Sequence, residues 1–449
     1  VIPLNFNVET QKLKNMAGQA AGVIEDHEYV RVISHNDADG LTSAAIICQA
    51  LLRKGIRFHA TIVPRLDASV VDMIIASAME KDLVIFCDMG SGHSDILSGI
   101  TNGIVILDHH VPVGNSPAKV VVNPHLAGID GAMHISASGV TYLVAKALDP
   151  ANVDLAGMAI AGAVGDKQLM DTVNGTILKE AVDAGVVSVR KGLRIGDGSI
   201  ADVLEYTPEP YLDITGDRKK IDEFLSILGL QGNISELSGE QLKKLTSAIA
   251  LKLAKRSTSE AIDASIGDVY SLNRELVKNV YDMVSILNTC GRMEKAGIAL
   301  SIGMRDKTHL EEARKMAIEY QRSIVGNIKA ARDMLLIGQN IGYLITKDME
   351  STGMVASTMV RYINPDMPFV AVNQVDDIVK VSARGTRALV EKGLDLAFAL
   401  REASNAVGGE GGGHNIASGA SIPPGTAEEF ISKVDEIVGQ QIGKKQEGS

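Results

Sequence analysis

The sequence predicts an α/β fold whose N-terminal part is a parallel sheet with helices on both faces. Two observations predict it: strand-length apolar runs ending in polar residues, and helical spacing between those runs. Residues 29–34, 56–63, 83–87, 103–107 and 119–122 are the runs, rich in Val and Ile. Unbroken apolar strands fit a sheet buried on both sides, which parallel sheets are. Residues 41–54 and 68–79 carry the helical spacing, 10–28 read as an N-terminal helix, and 153–164 as an Ala/Gly-rich one. Strands that alternate with helices give a parallel, layered architecture.

From about 190 the pattern becomes helical with scattered charge, as in 240–256 and 310–336. A second, smaller α/β unit starts near 340, with strands at 341–346, 369–373 and 378–383 and helices at 355–363 and 393–403. The glycine-rich run 408–413 on its own reads as a surface loop. The predicted organisation is an α/β domain over 1–190, a helical connector over 191–335 and a smaller α/β domain over 336–449, with a cleft between the first and last.

At 449 residues the chain can hold more than one core. Tryptophan is absent and aromatics make up 4%, so Ile, Val, Leu, Ala and Met must fill those cores. A net charge of −11 argues against an unselective polyanion binder. Residues 241–332 run the other way, with sixteen Lys and Arg against ten Asp and Glu. Most of these charges belong to solvated helix faces, but a nucleic-acid track fits here best. Cys48, Cys87 and Cys290 form no CxxC pair, so neither structural zinc nor a disulfide framework is expected. The start VIPLNFNVET has no signal-peptide pattern, and the tail KKQEGS is polar. No run reaches the ~18 apolar residues of a membrane span. A cytoplasmic protein that does not engage membranes is expected.

Chemistry concentrates at the ends of the predicted strands. His35, Asp37 and Asp39 follow the first, Asp88 the third, and Asp108, His109 and His110 the fourth; Asp166 closes the helix 153–164. Open α/β sheets bind ligands at this carboxyl edge. A helix-capping turn explains any one cluster, but not Asp and His gathering at one edge from four elements. Adjacent carboxylates repel unless a cation neutralises them. Carboxylates with a minority of imidazoles suit Mn²⁺ or Mg²⁺ better than zinc. There are more ligands than one ion needs. Two ions about 3.5–4 Å apart would clamp both oxygens of a phosphate displacement and generate hydroxide at neutral pH.

These residues resemble the motifs of the DHH phosphoesterases. HNDADG is similar to the first motif, VIFCDMG to the second, LDHH to the third and GAVGD to the fourth. LNTCGR (287–292) resembles the LNxxGR segment of RecJ-type nucleases, and VSAR with GGGH (411–414) the motifs of the DHH-associated C-terminal domain. The resemblance spans residues 34 to 420. It implies a first metal on His35 and Asp37, a second on Asp39, His109 and Asp166, and a bridge through Asp88. Asp108 would orient a metal-bound imidazole from behind, and His110 would face the phosphate as donor or proton source. Asn288, Arg292, Ser382, Arg384, Gly411, Gly412, Gly413 and His414 would bind substrate. Three glycines let backbone N–H groups approach a phosphate, and Arg suits a bidentate contact.

The same core in relatives of this family acts on pyrophosphate, polyphosphate, short oligonucleotides, cyclic dinucleotides or single strands, so substrate does not follow from the fold. LNTCGR, GGGH and the long helical region favour an exonuclease on single-stranded DNA or RNA, in replication or repair. With no room for an added OB-fold, the chain resembles the compact archaeal RecJ-like group, which implies the GINS replication complex as a partner. The alternatives are an oligoribonuclease or nucleotide phosphatase of the same chemistry, and a replisome scaffold with vestigial catalysis. The second would have lost ligands, and none is missing here. Polarity and oligomeric state are not encoded in any motif.

Overall fold

The computed structural model describes residues 6–375 and 377–446. The first five residues and the last three, on which the readings of the chain's start and polar tail partly rest, lie outside the described residues. The chain divides into two compact units. One holds the segments up to Arg190 and Val269–Ala317, the other Lys191–Asp268 and everything from Ile318. The stretch expected to be one connector is thus shared, 269–317 folding with the N-terminal sheet.

In the first unit β1 (Tyr29–His35), β2 (Arg57–Val63), β3 (Leu83–Cys87), β4 (Gly103–Leu107) and β5 (Val120–Val122) form a parallel sheet ordered β2-β1-β3-β4-β5. Every residue of β3 is buried. Leu83, Ile85 and Cys87 pack into the larger core with the helices Ala38–Arg53 and Ala137–Leu148. Val84 and Phe86 face the smaller core, with Val71, Ile74 and Leu97. A strand covered on both faces needs apolar side chains at every position, which is why its sequence shows no alternation.

The strand order reverses between β1 and β3, which opens a crevice at their carboxyl ends. Register then brings the site together. Ser34 pairs with Cys87, and Cys87 with Leu107. The next residues, His35, Asp88 and Asp108, therefore leave the sheet at one edge.

Among the strands that were not expected, β6 (Val187–Leu193) and β7 (Ile266–Leu272) form a sheet of their own. β6 is exposed or half-buried at four of its seven positions and carries Arg190 and Lys191, so it shows no apolar run.

The second unit contains β8 (Leu336–Ile337), β9 (Gly342–Lys347), β10 (Phe369–Val375), β11 (Ile378–Arg384), β12 (Glu410–Gly413) and β13 (Ala417–Ile422). Their order is β12-β13-β11-β10-β9-β8, with only β9 and β10 running parallel. The glycine run is therefore a turn at 408–409 that leads into an edge strand, not a loop throughout. A Cβ at Gly411 would lie 2.8 Å from the Leu400 carbonyl, so the helix Leu396–Ala406 covers β12 because side chains are missing there. The helix expected over 355–363 is Thr352–Thr358 running into a π-helical turn, Met359–Ile363.

The returning segment of the first unit is clamped by charge. Arg305 reaches Asp154 at 2.6 Å and the fully buried Glu275 at 2.9 Å, while Arg53 holds Asp154 from the other side at 2.7 Å. Removing one partner of a buried ion pair strands the other without compensation. Arg305→Met should lower the stability of this unit by about 3 kcal/mol. Arg53→Met should cost less, because Asp154 keeps Arg305; thermal melts of the two variants against the parent check the order.

Candidate metal centre

Local structure fixes each acidic group before any ion arrives. Asp37 caps the helix Ala38–Arg53, accepting from the Gly40 N–H at 3.0 Å. Asp39, in the first turn of that helix, is fully buried. Its two oxygens accept from the N–H groups of Ala137 (2.7 Å) and Ser138 (2.9 Å), at the start of the helix Ala137–Leu148. A helix N-terminus favours an anion, which offsets the burial of this carboxylate. Asp88 follows β3 with φ +58°, left-handed backbone that costs a non-glycine residue on the order of 1 kcal/mol.

These turns bring the side chains within reach of one another. His35 Nδ1 lies 3.0 Å from Asp37 and 3.3 Å from Asp88 Oδ2. His109 Nε2 lies 3.4 Å from Asp88 Oδ1, 3.3 Å from Asp166 and 3.9 Å from Asp39. The structure thus places His35, Asp37 and Asp88 in one group and Asp39, His109 and Asp166 in another, each with ligand atoms within 4.8 Å of one another. Asp88 turns one oxygen to each group. Its Oδ1 is buried and has no hydrogen-bond partner. A bare buried carboxylate oxygen is costly unless a cation meets it. The donor set therefore fits hard divalent cations, and Asp88 reaches both groups.

The His109 ring is oriented by groups that carry no motif. Its Nδ1 lies 2.9 Å from the Gly131 carbonyl, which can only accept, so Nδ1 carries the proton and Nε2 presents its lone pair to the carboxylates. Gln168 Nε2 donates to the same carbonyl at 2.9 Å, and Asn174 donates to Gln168 Oε1 at 2.9 Å. Both are buried. Sequence reasoning missed Gly131, Gln168 and Asn174. Only Gln168, two positions past Asp166, gave a signal that could have been followed.

Without ions the cluster holds protons instead. Burial disfavours a charged His35, but Asp37 and Asp88 outweigh it and hold the ring up at about 10. For His109 burial is likewise outweighed, by Asp88 and Asp39, and its value rises to about 11. Burial pushes Asp88 up to about 6 against the pull of both histidines. Burial, then the charges of Asp39 and Asp88, raise Asp166 to about 9.

Asp108 holds His110 rather than His109. Its Oδ1 lies 2.8 Å from His110 Nδ1, and it also accepts from the N–H groups of Ser91, His109 and His110. Burial opposes the charged form of Asp108, yet its partnership with His110 brings it down to about 2. The hydrogen bond that His110 Nδ1–H donates to Asp108 raises the imidazole's pKa, and the His110 side chain is 58% exposed. LNTCGR lies against the first motif. Asn288 Oδ1 accepts from the Ala38 N–H at 2.9 Å, and Asn36 donates to the Gly291 carbonyl at 3.2 Å. A Cβ at Gly291 would sit 1.7 Å from the Asn36 carbonyl, so only glycine permits this contact. Asn288 thus steadies the loop that carries His35 and Asp37. Arg292 is exposed in the last turn of the helix Val280–Arg292.

The remaining residues expected to bind substrate belong to the second unit. Arg384, at the end of β11, is half-buried and bonds Ser357 Oγ and the Ala383 carbonyl, with no carboxylate partner among the described residues. Burial lowers its pKa, the mark of a cation short of counter-charge. Ser382 lies 3.3 Å from Thr352 through their hydroxyls, and His414 is exposed in the turn after β12. Gly411 and Gly413 are required by packing; a Cβ at Gly412 would meet nothing within 4 Å.

Two outcomes follow for metal binding. Raised pKa values mean that the folded metal-free chain binds protons more tightly than the unfolded one, so its stability falls as pH rises from about 4 towards 10. Cations displace those protons. The rise in melting temperature produced by a fixed Mn²⁺ concentration should therefore be larger at pH 8.5 than at pH 6. Gln168→Leu should weaken Mn²⁺ binding about 10- to 100-fold, as loss of a partner behind a ligand does. Titration followed by the electron spin resonance of free Mn²⁺ reads this directly.

Residues 29–163 match the model of the DHH family N-terminal domain, and 340–440 that of the DHHA1 domain. The uncharacterized protein MJ0831 of Methanocaldococcus jannaschii is 33% identical over 429 residues, 94% of this chain and 95% of that one. The single-stranded-DNA-specific exonuclease RecJ of Thermus thermophilus is 28% identical over 204 residues, 42% of this chain but only 30% of that protein. The crystal structure of an exonuclease RecJ bound to manganese shares the fold with a TM-score of 0.61 over 96% of both chains, at 16% identity. With the two domain types in this order and the acidic groups of the first meeting at one sheet edge, the chain belongs to the DHH family as a RecJ-like phosphoesterase.

Proposed function

We propose that the protein hydrolyses phosphodiester bonds of single-stranded nucleic acid from an end, as an exonuclease that uses two divalent cations, Mn²⁺ or Mg²⁺. The observation that carries the proposal is Asp88, a buried carboxylate with one oxygen towards each ligand group and Oδ1 otherwise unpartnered. His35 and Asp37 would hold one ion with it, and Asp39, His109 and Asp166 the other. Bound there, the ions would supply Lewis acidity for charge on the phosphoryl oxygens and lower the pKa of water.

The chain's own groups do the rest. Asp108 holds His110 by Nδ1 and favours its charged form, so His110 can pass the Nε2 proton to the departing oxygen as the P–O bond breaks. Asn288 and Gly291 keep the His35–Asp37 loop in place. Arg384, lacking a carboxylate, and the open backbone at Gly412 would grip phosphate oxygens in the second unit. Aromatic residues are few, so backbone contacts would dominate, with little base preference and strong dependence on salt. The intact ligand set speaks against a scaffold that has lost its chemistry.

The test is hydrolysis of end-labelled DNA and RNA with Mn²⁺, from dinucleotides to strands of about twenty nucleotides. Activity should persist on the longest strands. Activity confined to the shortest would assign the site to an oligonuclease instead. Asp88→Asn should lose more than about 100-fold in rate, since even a group behind a ligand is worth 10- to 100-fold. In EDTA the same variant should melt no lower than the parent, because it removes a poorly satisfied buried charge.

A further inference from the structure

The positive surplus in residues 241–332 is not absorbed by the metal centre, and part of it converges on a cavity within the second unit. The cavity has a volume of about 390 Å³, within the roughly 300–1,000 Å³ typical of small-molecule sites. Lys252, Lys255, Arg256 and Arg332 line it, against one carboxylate, Asp213. Asp213 is spent on Lys252, at 2.8 Å. Two buried tyrosines, Tyr211 and Tyr362, complete the wall.

Cations often gather at helix C-termini simply to complement the helix dipole, and two helices end here. Lys252 lies in the last turn of Gly239–Leu253 and Arg332 in the last turn of Leu310–Asp333. Each helix end is worth about half a negative charge. Two ends and Asp213 therefore balance about two of the four cations. About two positive charges remain without a counter-charge in the cavity wall, in a chain whose net charge is −11. The wall is also built rather than incidental. Tyr362 and Ile363 come from the π-helical turn Met359–Ile363, a rare geometry common at functional sites. The loop with Lys255 and Arg256 is tied to that turn by Thr258 N–H, which donates to the Arg361 carbonyl at 3.0 Å, and to its own helix by Ser257 N–H, which donates to the Leu253 carbonyl at 2.8 Å.

We infer that this cavity binds a phosphate monoester borne on a nucleotide. A monoester carries about −1.5 to −2 charges at neutral pH, which matches the surplus, whereas an internal phosphodiester carries one. A mononucleotide is of the size the cavity admits. The monoester has two sources, a free mononucleotide or the phosphorylated end of a strand.

Calorimetric titration of the whole chain in EDTA tests this without requiring hydrolysis, so it can fail while the exonuclease proposal stands, and the reverse. The probes are AMP, adenosine, inorganic phosphate, and a short oligothymidylate with and without a 5′-phosphate. AMP should bind, adenosine should not, and salt should weaken the binding. The double variant K255E/R256E, at two exposed positions, should bind AMP at least about tenfold more weakly, while Arg384→Ala should leave AMP binding unchanged. Binding of the phosphorylated oligothymidylate but not AMP, lost in the double variant, would support the site with the strand end as its source. Should the double variant melt early, Arg332→Ala on the facing wall gives the same reading. The inference is overturned if no phosphorylated probe binds, or if binding survives the cavity variants, and equally if it follows Arg384 alone.

Discussion

The structure turns on an electrostatic problem that the backbone creates and cannot solve by itself. A parallel sheet delivers consecutive strand ends to one edge, and here those ends carry carboxylates. Asp37, Asp39, Asp88 and Asp166 stand within a few ångströms of two imidazoles. Some of the charge is answered locally, Asp39 by a helix N-terminus and Asp37 by the helix that it caps. The answer stops at Asp88, which sits at the centre, in left-handed backbone, with one oxygen unmet. Protons are the poor substitute, drawn to the histidines and to Asp166 by the same field that would draw cations.

Other features of the first unit follow from holding that edge still. The returning segment 269–317 brings Asn288 and Gly291 against the loop between β1 and its helix. The charge clamp of Arg305 with Asp154 and Glu275 ties that segment down at the other end of the same helix, where Arg53 also reaches Asp154. Gln168 and Asn174 serve the imidazole of His109 in the way that Asp108 serves His110. Thus one imidazole is aimed at the carboxylates and the other at solvent, although the two are neighbours in sequence.

Much of this was legible in the residues. Unbroken apolar runs such as Leu83–Cys87 were readable because both faces of the sheet are covered, and acidic or histidine residues directly after such runs marked the edge. What stayed hidden depends on long-range pairing or on backbone atoms. β6 pairs with a strand some seventy residues away and has the charged neighbours Arg190 and Lys191 on opposite faces, so no periodicity betrayed it. The glycine run looked like a loop because glycine normally signals freedom; here it lets a helix lie close on a strand. A carbonyl acceptor such as that of Gly131 has no residue-type signature at all. Likewise the return of 269–317 to the first unit could not be read from its helical pattern, which suits either unit equally.

That return also orders the molecule in time. Domains tend to fold as they leave the ribosome, N-terminal parts first. Here every candidate ligand has been synthesised by residue 166, but the helix that props their loop is more than a hundred residues behind, beyond a segment belonging to the other unit. The nascent sheet must wait, with its acidic edge unsupported, until translation has passed residue 317. A chain cut short before residue 280 would carry every candidate metal ligand and lack the helix that steadies their loop.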